Sequence, residues 1–162
     1  MPNRLNYKEL PLMAAKREST WLKFLNRNRK KIEASDLKIQ ALHDEISDRT
    51  SCLECANCCR SLGPRITDKD VERLSKALRM KAVDIIQRYL RIDEDNDMVF
   101  KSMPCPFLGD DNYCAVYDAR PKACREYPHT DRRKFYQIYM LSVKNAETCP
   151  IVFEVLEEIK KL

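Results

Sequence analysis

Apolar residues recur through this chain mostly at helical spacing. Ile32, Ile39, Leu42 and Ile46 follow one another at steps of 7, 3 and 4, which places them on one stripe of an α-helix. Trp21, Phe24 and Leu25 form an earlier apolar patch, so the first 50 residues read as helical. Further on, Thr67-Asp68-Lys69-Asp70 has the form of a helix start, with Thr67 as the cap and acids in the first turn. Val71, Leu74 and Leu78 then mark the buried side. After a joint at Met80-Lys81 a further helix is predicted, with Val83, Ile86 and Leu90 facing inward.

The pattern changes after residue 92. Asp93-Glu94-Asp95-Asn96-Asp97 matches the first three ligand positions of an EF-hand loop. Met98 then stands where the glycine is needed and Pro104 where the bidentate Glu belongs. The run therefore reads as an acidic turn before a short strand, Met98-Val99-Phe100. Pro104–Leu108 and Tyr113–Tyr117 flank Gly109-Asp110-Asp111-Asn112, which predicts a hairpin with Cys105 and Cys114 facing each other near its base. Asp118 caps a short helix through Cys124, and Pro128 stops it. Residues 131–147 read as helical, with Phe135, Tyr136, Ile138, Tyr139 and Leu141 also compatible with a strand, and Cys149-Pro150 opens a last helix with Ile151, Val155, Leu156 and Ile159 apolar.

Composition narrows the class. A third of the 162 residues are charged and only two are glycine, Gly63 and Gly109, which favours helices with solvated faces over a large sheet. The fold expected is α+β and mainly α-helical. It comprises a basic helical extension over residues 1–50 and a small cysteine-rich metal-binding domain with a short β-hairpin over 51–162. The net charge of +5 is concentrated in the first 50 residues, which hold 11 Lys and Arg against 7 Asp and Glu. Within them Asn26-Arg27-Asn28-Arg29-Lys30-Lys31 is a basic run that reads as a solvated helix face. Without interleaved aromatics it does not argue for nucleic acid. The first residues carry no apolar signal region, and no apolar run approaches the roughly 20 residues that span a bilayer. A cytoplasmic protein with reduced thiols and no membrane contact is expected.

Chemistry enters with the cysteines. Cys52, Cys55, Cys58 and Cys59 fall within eight residues, and Cys105, Cys114, Cys124 and Cys149 follow over the second half. A Cys-x2-Cys step turns two sulfurs toward one point, as a tetrahedral thiolate site requires. Cys58 and Cys59 are adjacent, and neighbouring side chains tend to point apart, so they suit different sites or different metals of one cluster. Eight thiols in a reducing compartment point to metal rather than disulfides. Two partitions fit: two closed zinc sites of four sulfurs each, or a four-cysteine iron–sulfur cluster, for which Cys-x2-Cys-x2-Cys is an incomplete ferredoxin spacing. Sulfur donors exclude calcium and magnesium. Arg60 and Arg125 each follow a cysteine; two readings stand, a charge that offsets thiolates or a simply exposed side chain. His129 reads as a structural hydrogen-bonded residue, and His43 as solvent-facing.

The combined pattern resembles the YkgJ-like cysteine-cluster family, a zinc- or iron-chelating domain of the CxxCxxCC type. The carriers are Cys52-x2-Cys55-x2-Cys58-Cys59-Arg60, Cys105-Pro106-Phe107-Leu108, Cys114-Ala115-Val116-Tyr117, Arg120-Pro121-x2-Cys124-Arg125-x-Tyr127-Pro128 and Cys149-Pro150. Many members separate the first two cysteines by three residues; here the gap is two. The resemblance covers about residues 50–150 and implies metal or iron–sulfur binding through the eight cysteines. A redox, sensing or cluster-handling role is the first functional expectation. The alternative is a zinc-stabilised interaction module whose basic N-terminal helix docks a protein or nucleic-acid partner. No catalytic constellation is visible: the chain has no Gly-rich nucleotide loop and no Cys-x3-Cys-x2-Cys radical motif. An enzymatic role is left open, with oxidoreductase chemistry tied to a bound cluster.

Overall fold

A computed structural model describes residues 7–162, and the first six positions of the N-terminal reading lie outside the described residues. The fold is mainly helical with one two-stranded antiparallel hairpin, the α+β class expected. The helices are α1 (Leu10–Glu33), α2 (Asp36–Asp48), α3 (Cys52–Cys55), α4 (Asn57–Ser61), α5 (Asp68–Leu78), α6 (Ala82–Tyr89), α7 (Lys122–Glu126), α8 (Tyr139–Asn145) and α9 (Pro150–Ile159). The strands are β1 (Leu90–Ile92) and β2 (Met98–Phe100). The described residues fall into two units: 53–127, and the residues up to 52 together with 128–162.

The 53–127 unit is built around a small apolar core of Ile66, Val71, Leu74, Ile85, Leu90, Phe100, Phe107 and Val116. Helix α5 starts with a full capping box. Thr67 Oγ1 accepts from the Asp70 N–H, and the Asp70 carboxylate accepts from the Thr67 N–H at 2.8 Å. Val71 and Leu74 are buried, as their spacing predicts. In α6 the inward residue is Ile85, whereas Val83 and Ile86 are 52% and 40% exposed. The helix ends at Tyr89 and the chain turns extended at Leu90, so the buried line runs through Ile85 and Leu90 across a change of period.

The strands pair Leu90 with Phe100 and Ile92 with Met98, around the acidic run as their turn. Asp93 Oδ1 accepts from the N–H groups of Asp95 and Asp97, and Arg65 pairs with Asp97 at 2.9 Å, so the carboxylates serve the turn itself. The second hairpin, predicted over 104–117, shrinks to a single bridge between Leu108 and Cys114. Pro104 and Pro106 remove two N–H donors from its first arm, which leaves Ala115 N to Phe107 O and Gly109 N to Tyr113 O as the rungs. A Cβ at Gly109 would fall 2.7 Å from Asp111 Oδ1 and 3.3 Å from the Tyr113 carbonyl, so a larger residue would displace the Asp111 side chain and crowd the turn.

In the other unit α1 and α2 pack with α8 and α9. Trp21 is fully buried; its indole N–H donates to Glu157 Oε1 at 2.8 Å, and its ring meets Phe153 edge-on at 5.4 Å. The Tyr139 hydroxyl donates to the Trp21 carbonyl at 3.3 Å. Ile32, Ile39 and Ile46 are buried, but the stripe is carried by two helices that break at Ala34-Ser35, where Ser35 Oγ donates back to the Lys31 carbonyl. The helix predicted over 131–147 is confined to α8. Before it, Lys134 takes a left-handed conformation and Phe135–Ile138 forms a 3-10 turn, held by Asp36, whose carboxylate accepts from the Lys134 and Phe135 N–H groups. His43 is half-buried rather than solvent-facing: its Nδ1 pairs with Thr130 Oγ1 at 2.6 Å and its Nε2 with Ser47 Oγ at 3.2 Å. Helix α9 opens at Pro150 with Cys149 as its cap and buries Ile151, Val155, Leu156 and Ile159, as predicted. Among the described residues no helix is long and apolar enough to cross a membrane.

Candidate metal centre

The eight cysteines sit on six pieces of local structure. Cys52 and Cys55 are the ends of the single-turn α3, and Cys58 and Cys59 lie on α4. Ala56 joins the two in a left-handed conformation (φ 48°), a strained state for a residue with a Cβ that reverses the chain between the Cys-x2-Cys steps. Cys105 follows the proline-rich arm, Cys114 stands at the bridge to Leu108, Cys124 lies on α7, and Cys149 is buried at the start of α9. No disulfide joins any of the eight.

Within the 53–127 unit the structure gathers four of them. The Cys105 N–H donates to the Cys59 carbonyl at 2.8 Å. The Cys105 thiol lies within electrostatic reach of Cys59 and Cys114, and the Cys124 thiol within reach of all three. Cys58 joins from one side, its thiol hydrogen-bonded to that of Cys59. The two neighbours thus meet through their side chains, contrary to the expectation that they point apart. Among the described residues no three His, Cys, Asp or Glu side chains are set to hold a metal ion as they stand. The thiols are neighbours rather than a closed cage.

Two arginines attend this group. Arg60 donates through Nη1 to the Cys55 carbonyl at 2.9 Å and through Nη2 to Asn112 Oδ1, while Asn112 Nδ2 reaches the Leu53 carbonyl at 2.7 Å. Arg120 lies 3.6 Å over the Tyr117 ring and donates through Nε to the Tyr117 carbonyl at 2.8 Å. Its charge acts on Cys59, Cys114 and Cys124. Arg60 and Arg125 are both exposed, but only Arg60 acts on Cys59, and the second cation there is Arg120. The signal that could have found it is the Tyr-x2-Arg step, which stacks the guanidinium on a ring.

The electrostatics follow from burial and from this company. Burial pushes the Cys105 thiol up to about 11 and the Cys124 thiol up to about 12, with the nearby sulfurs adding to both. Burial also raises Cys114. Cys59 moves the other way, to about 7. The Cys58 hydrogen bond is its largest influence, burial opposes it, and the charges of Arg120 and Arg60 support it. A soft divalent cation fits this donor set, because it replaces protons on thiols that water no longer stabilises as anions.

Sulfur donors from several short segments, held by a small helical α+β scaffold, define a thiolate metal-chelating domain. The chain belongs to the CxxCxxCC family, described as "Putative zinc- or iron-chelating domain", which matches residues 51–150. It is also similar to "Uncharacterized protein MJ0661" of Methanocaldococcus jannaschii, 28% identical over 82 residues. That match covers 49% of this chain and 44% of the relative, so the chain spans less than half of that protein's length. No solved structure matches it. Zinc or iron chelation is the function the family supports.

Proposed function

We propose that the protein binds an iron–sulfur cluster through cysteine thiolates and serves a redox, sensing or cluster-handling role in a reducing compartment such as the cytoplasm. The observation that carries this reading is the grouping of Cys59, Cys105, Cys114 and Cys124, with Arg60 and Arg120 beside them. These four are the ligands assigned to the centre. Cys52, Cys55, Cys58 and Cys149 are assigned as further thiolate donors. An all-sulfur, partly buried donor set suits a cluster, and it would supply one-electron chemistry whose potential responds to nearby charge and solvent exposure. The arginines offset the negative charge of four thiolates and so favour the loaded state.

Purification without air tests this. The expected product is brown, carries iron and acid-labile sulfide, and bleaches on reduction with dithionite. A colourless protein with stoichiometric zinc and no sulfide, from cells supplied with iron, rejects the cluster and leaves the zinc-stabilised interaction module in its place.

A further inference from the structure

Outside the cysteine region, the fold brings together two basic runs that lie about a hundred positions apart. Arg27, Arg29, Lys30 and Lys31 end α1, and Arg132, Arg133 and Lys134 precede the 3-10 turn Phe135–Ile138. The Asp36 carboxylate fixes the second run beside the start of α2 by accepting from the Lys134 and Phe135 N–H groups. All seven basic side chains are exposed, and among the described residues none is in an ion pair. Helix α1 kinks at Asn28 (φ −121°, ψ 19°), inside the first run, where Asn28 Nδ2 donates to the Phe24 carbonyl. Arg29 of the first run, with residues just past the second, lines an open groove of about 610 Å³ whose walls are Leu25, Asn26, Arg29, Tyr136, Gln137 and Met140. Met140 is 54% exposed.

We propose that this groove docks an acidic amphipathic helix of a partner protein. Its apolar side chains would lie on Leu25, Tyr136 and Met140, and its carboxylates would face the two basic runs. A groove between helices with an apolar floor is the ordinary seat for such a ligand. An unbranched thioether such as Met140 adapts to varied apolar partners. The seven exposed cations outnumber the neighbouring acids Glu33, Asp36 and Asp131, and that excess positive charge complements an acidic ligand, which sets orientation and association rate. Single-stranded nucleic acid would seek repeated aromatic platforms, and this floor offers two aliphatic side chains and one ring. The proposal does not depend on which metal the cysteines hold.

The test uses the full chain with its metal and a fluorescein-labelled synthetic helix of about 18 residues, long enough to be helical when bound. The peptide carries Leu at i, i+3, i+4 and i+7 and Glu at most other positions. A scrambled peptide of equal composition and an oligouridylate of about 20 nucleotides are the comparisons. Fluorescence anisotropy should show binding that weakens as salt rises from about 50 to about 300 mM. Either Met140→Glu or the triple variant Arg29→Glu/Lys30→Glu/Lys31→Glu should weaken it about tenfold or more. Metal content and far-UV circular dichroism should not change, which marks a folded variant. The proposal is overturned if the patterned peptide fails to bind, or if the scrambled peptide binds as well. It is equally overturned if Met140→Glu leaves affinity intact while the oligouridylate binds and responds only to the charge reversals.

Discussion

The backbone N–H of Cys105 donates to the carbonyl of Cys59 across 2.8 Å. That single bond ties the start of the later cysteine series to the end of the first one. It fixes the main chain of the two residues against one another, and their thiols act on each other electrostatically. Cys114 is placed independently by the bridge to Leu108, and Cys124 by the first turn of α7.

If these four residues form one centre, their losses should be equal and should not add. Replacing Cys59, Cys105, Cys114 or Cys124 singly by Ser is expected to weaken metal retention by a similar factor. Any double variant within the set should cost little more, because one missing ligand already opens a four-ligand site. Metal per chain after challenge with a graded chelator measures this. Unequal single losses that sum in the doubles would break the grouping.

Arg120 gives a charge-specific prediction. Its guanidinium is held by the Tyr117 ring at 3.6 Å and by the Tyr117 carbonyl, with the charge acting on three of the four thiols. Arg120→Gln is expected to weaken metal retention about 10- to 100-fold, the usual effect of removing an outer partner. Arg120→Lys should fall between, since it keeps the charge but loses the plane that stacks on Tyr117. The rate of metal release to a chromophoric chelator reads the effect, and an unchanged circular dichroism spectrum separates it from unfolding.

The thiol electrostatics set a pH window. Cys105 and Cys124 have folded values raised from 9.0 to about 11 and about 12. The folded metal-free chain therefore holds protons that the unfolded chain gives up above pH 9. The stability these two contribute is complete below that point and is lost as pH rises through about 11 to 12. Cys59, lowered to about 7, contributes stability present above 9 and lost as pH falls through 7. Metal-free protein should thus lose stability at alkaline pH. When Cys59, Cys105, Cys114 and Cys124 take up a metal near neutrality, Cys105, Cys114 and Cys124 should release more protons than Cys59. Urea melts across pH and proton release in dilute buffer check the two halves. A metal-free midpoint that rises steadily from pH 9 to 11 contradicts the sign.

Much of this architecture was legible because it rests on local rules. The Thr67–Asp70 capping box, the Val71 and Leu74 stripe, the Asp93–Asp97 turn and the Cys149-Pro150 helix start each follow from a few neighbouring residues. The misses came where two rules met. Leu90 continues a helical spacing from Val83 and Ile86, yet the chain becomes a strand there, so the buried residue in α6 is Ile85. The arm at 104–108 had a hairpin's turn residues, but its prolines left too few donors for a ladder. At the candidate site the cysteines were visible as types and spacings. That Cys59 groups with Cys105, Cys114 and Cys124 depends on pairings 46 or more positions apart, which spacing cannot encode. Arg120 had a local signal in its Tyr-x2-Arg step, but its action on Cys59 spans 61 positions.

Asp70 links that grouping to the stability of its scaffold. The side chain is fully buried, yet it is satisfied by the Thr67 N–H and hydroxyl, by the Lys122 N–H at 2.9 Å and by Arg73. Arg73 in turn donates to the Arg120 carbonyl. One carboxylate therefore positions both the start of α7, two residues before Cys124, and the backbone of Arg120. Burial alone would raise its pKa, but the hydrogen bonds from Thr67 and Lys122 and the Arg73 charge outweigh it and hold it below the ordinary 3.8. The stability it adds is present above that value and fades as pH falls through the lowered one. Asp70→Ala should cost about 2–4 kcal/mol, because it leaves the Lys122 N–H and the half-buried Arg73 without their carboxylate. Asp70→Asn should cost about 1–3 kcal/mol and flatten the acid limb of the stability curve. Urea denaturation of the metal-free chain at neutral and acid pH measures both, and metal retention should fall with them. If Asp70→Asn unfolds along the same acid limb as the parent chain, the carboxylate is not what joins α5 to α7.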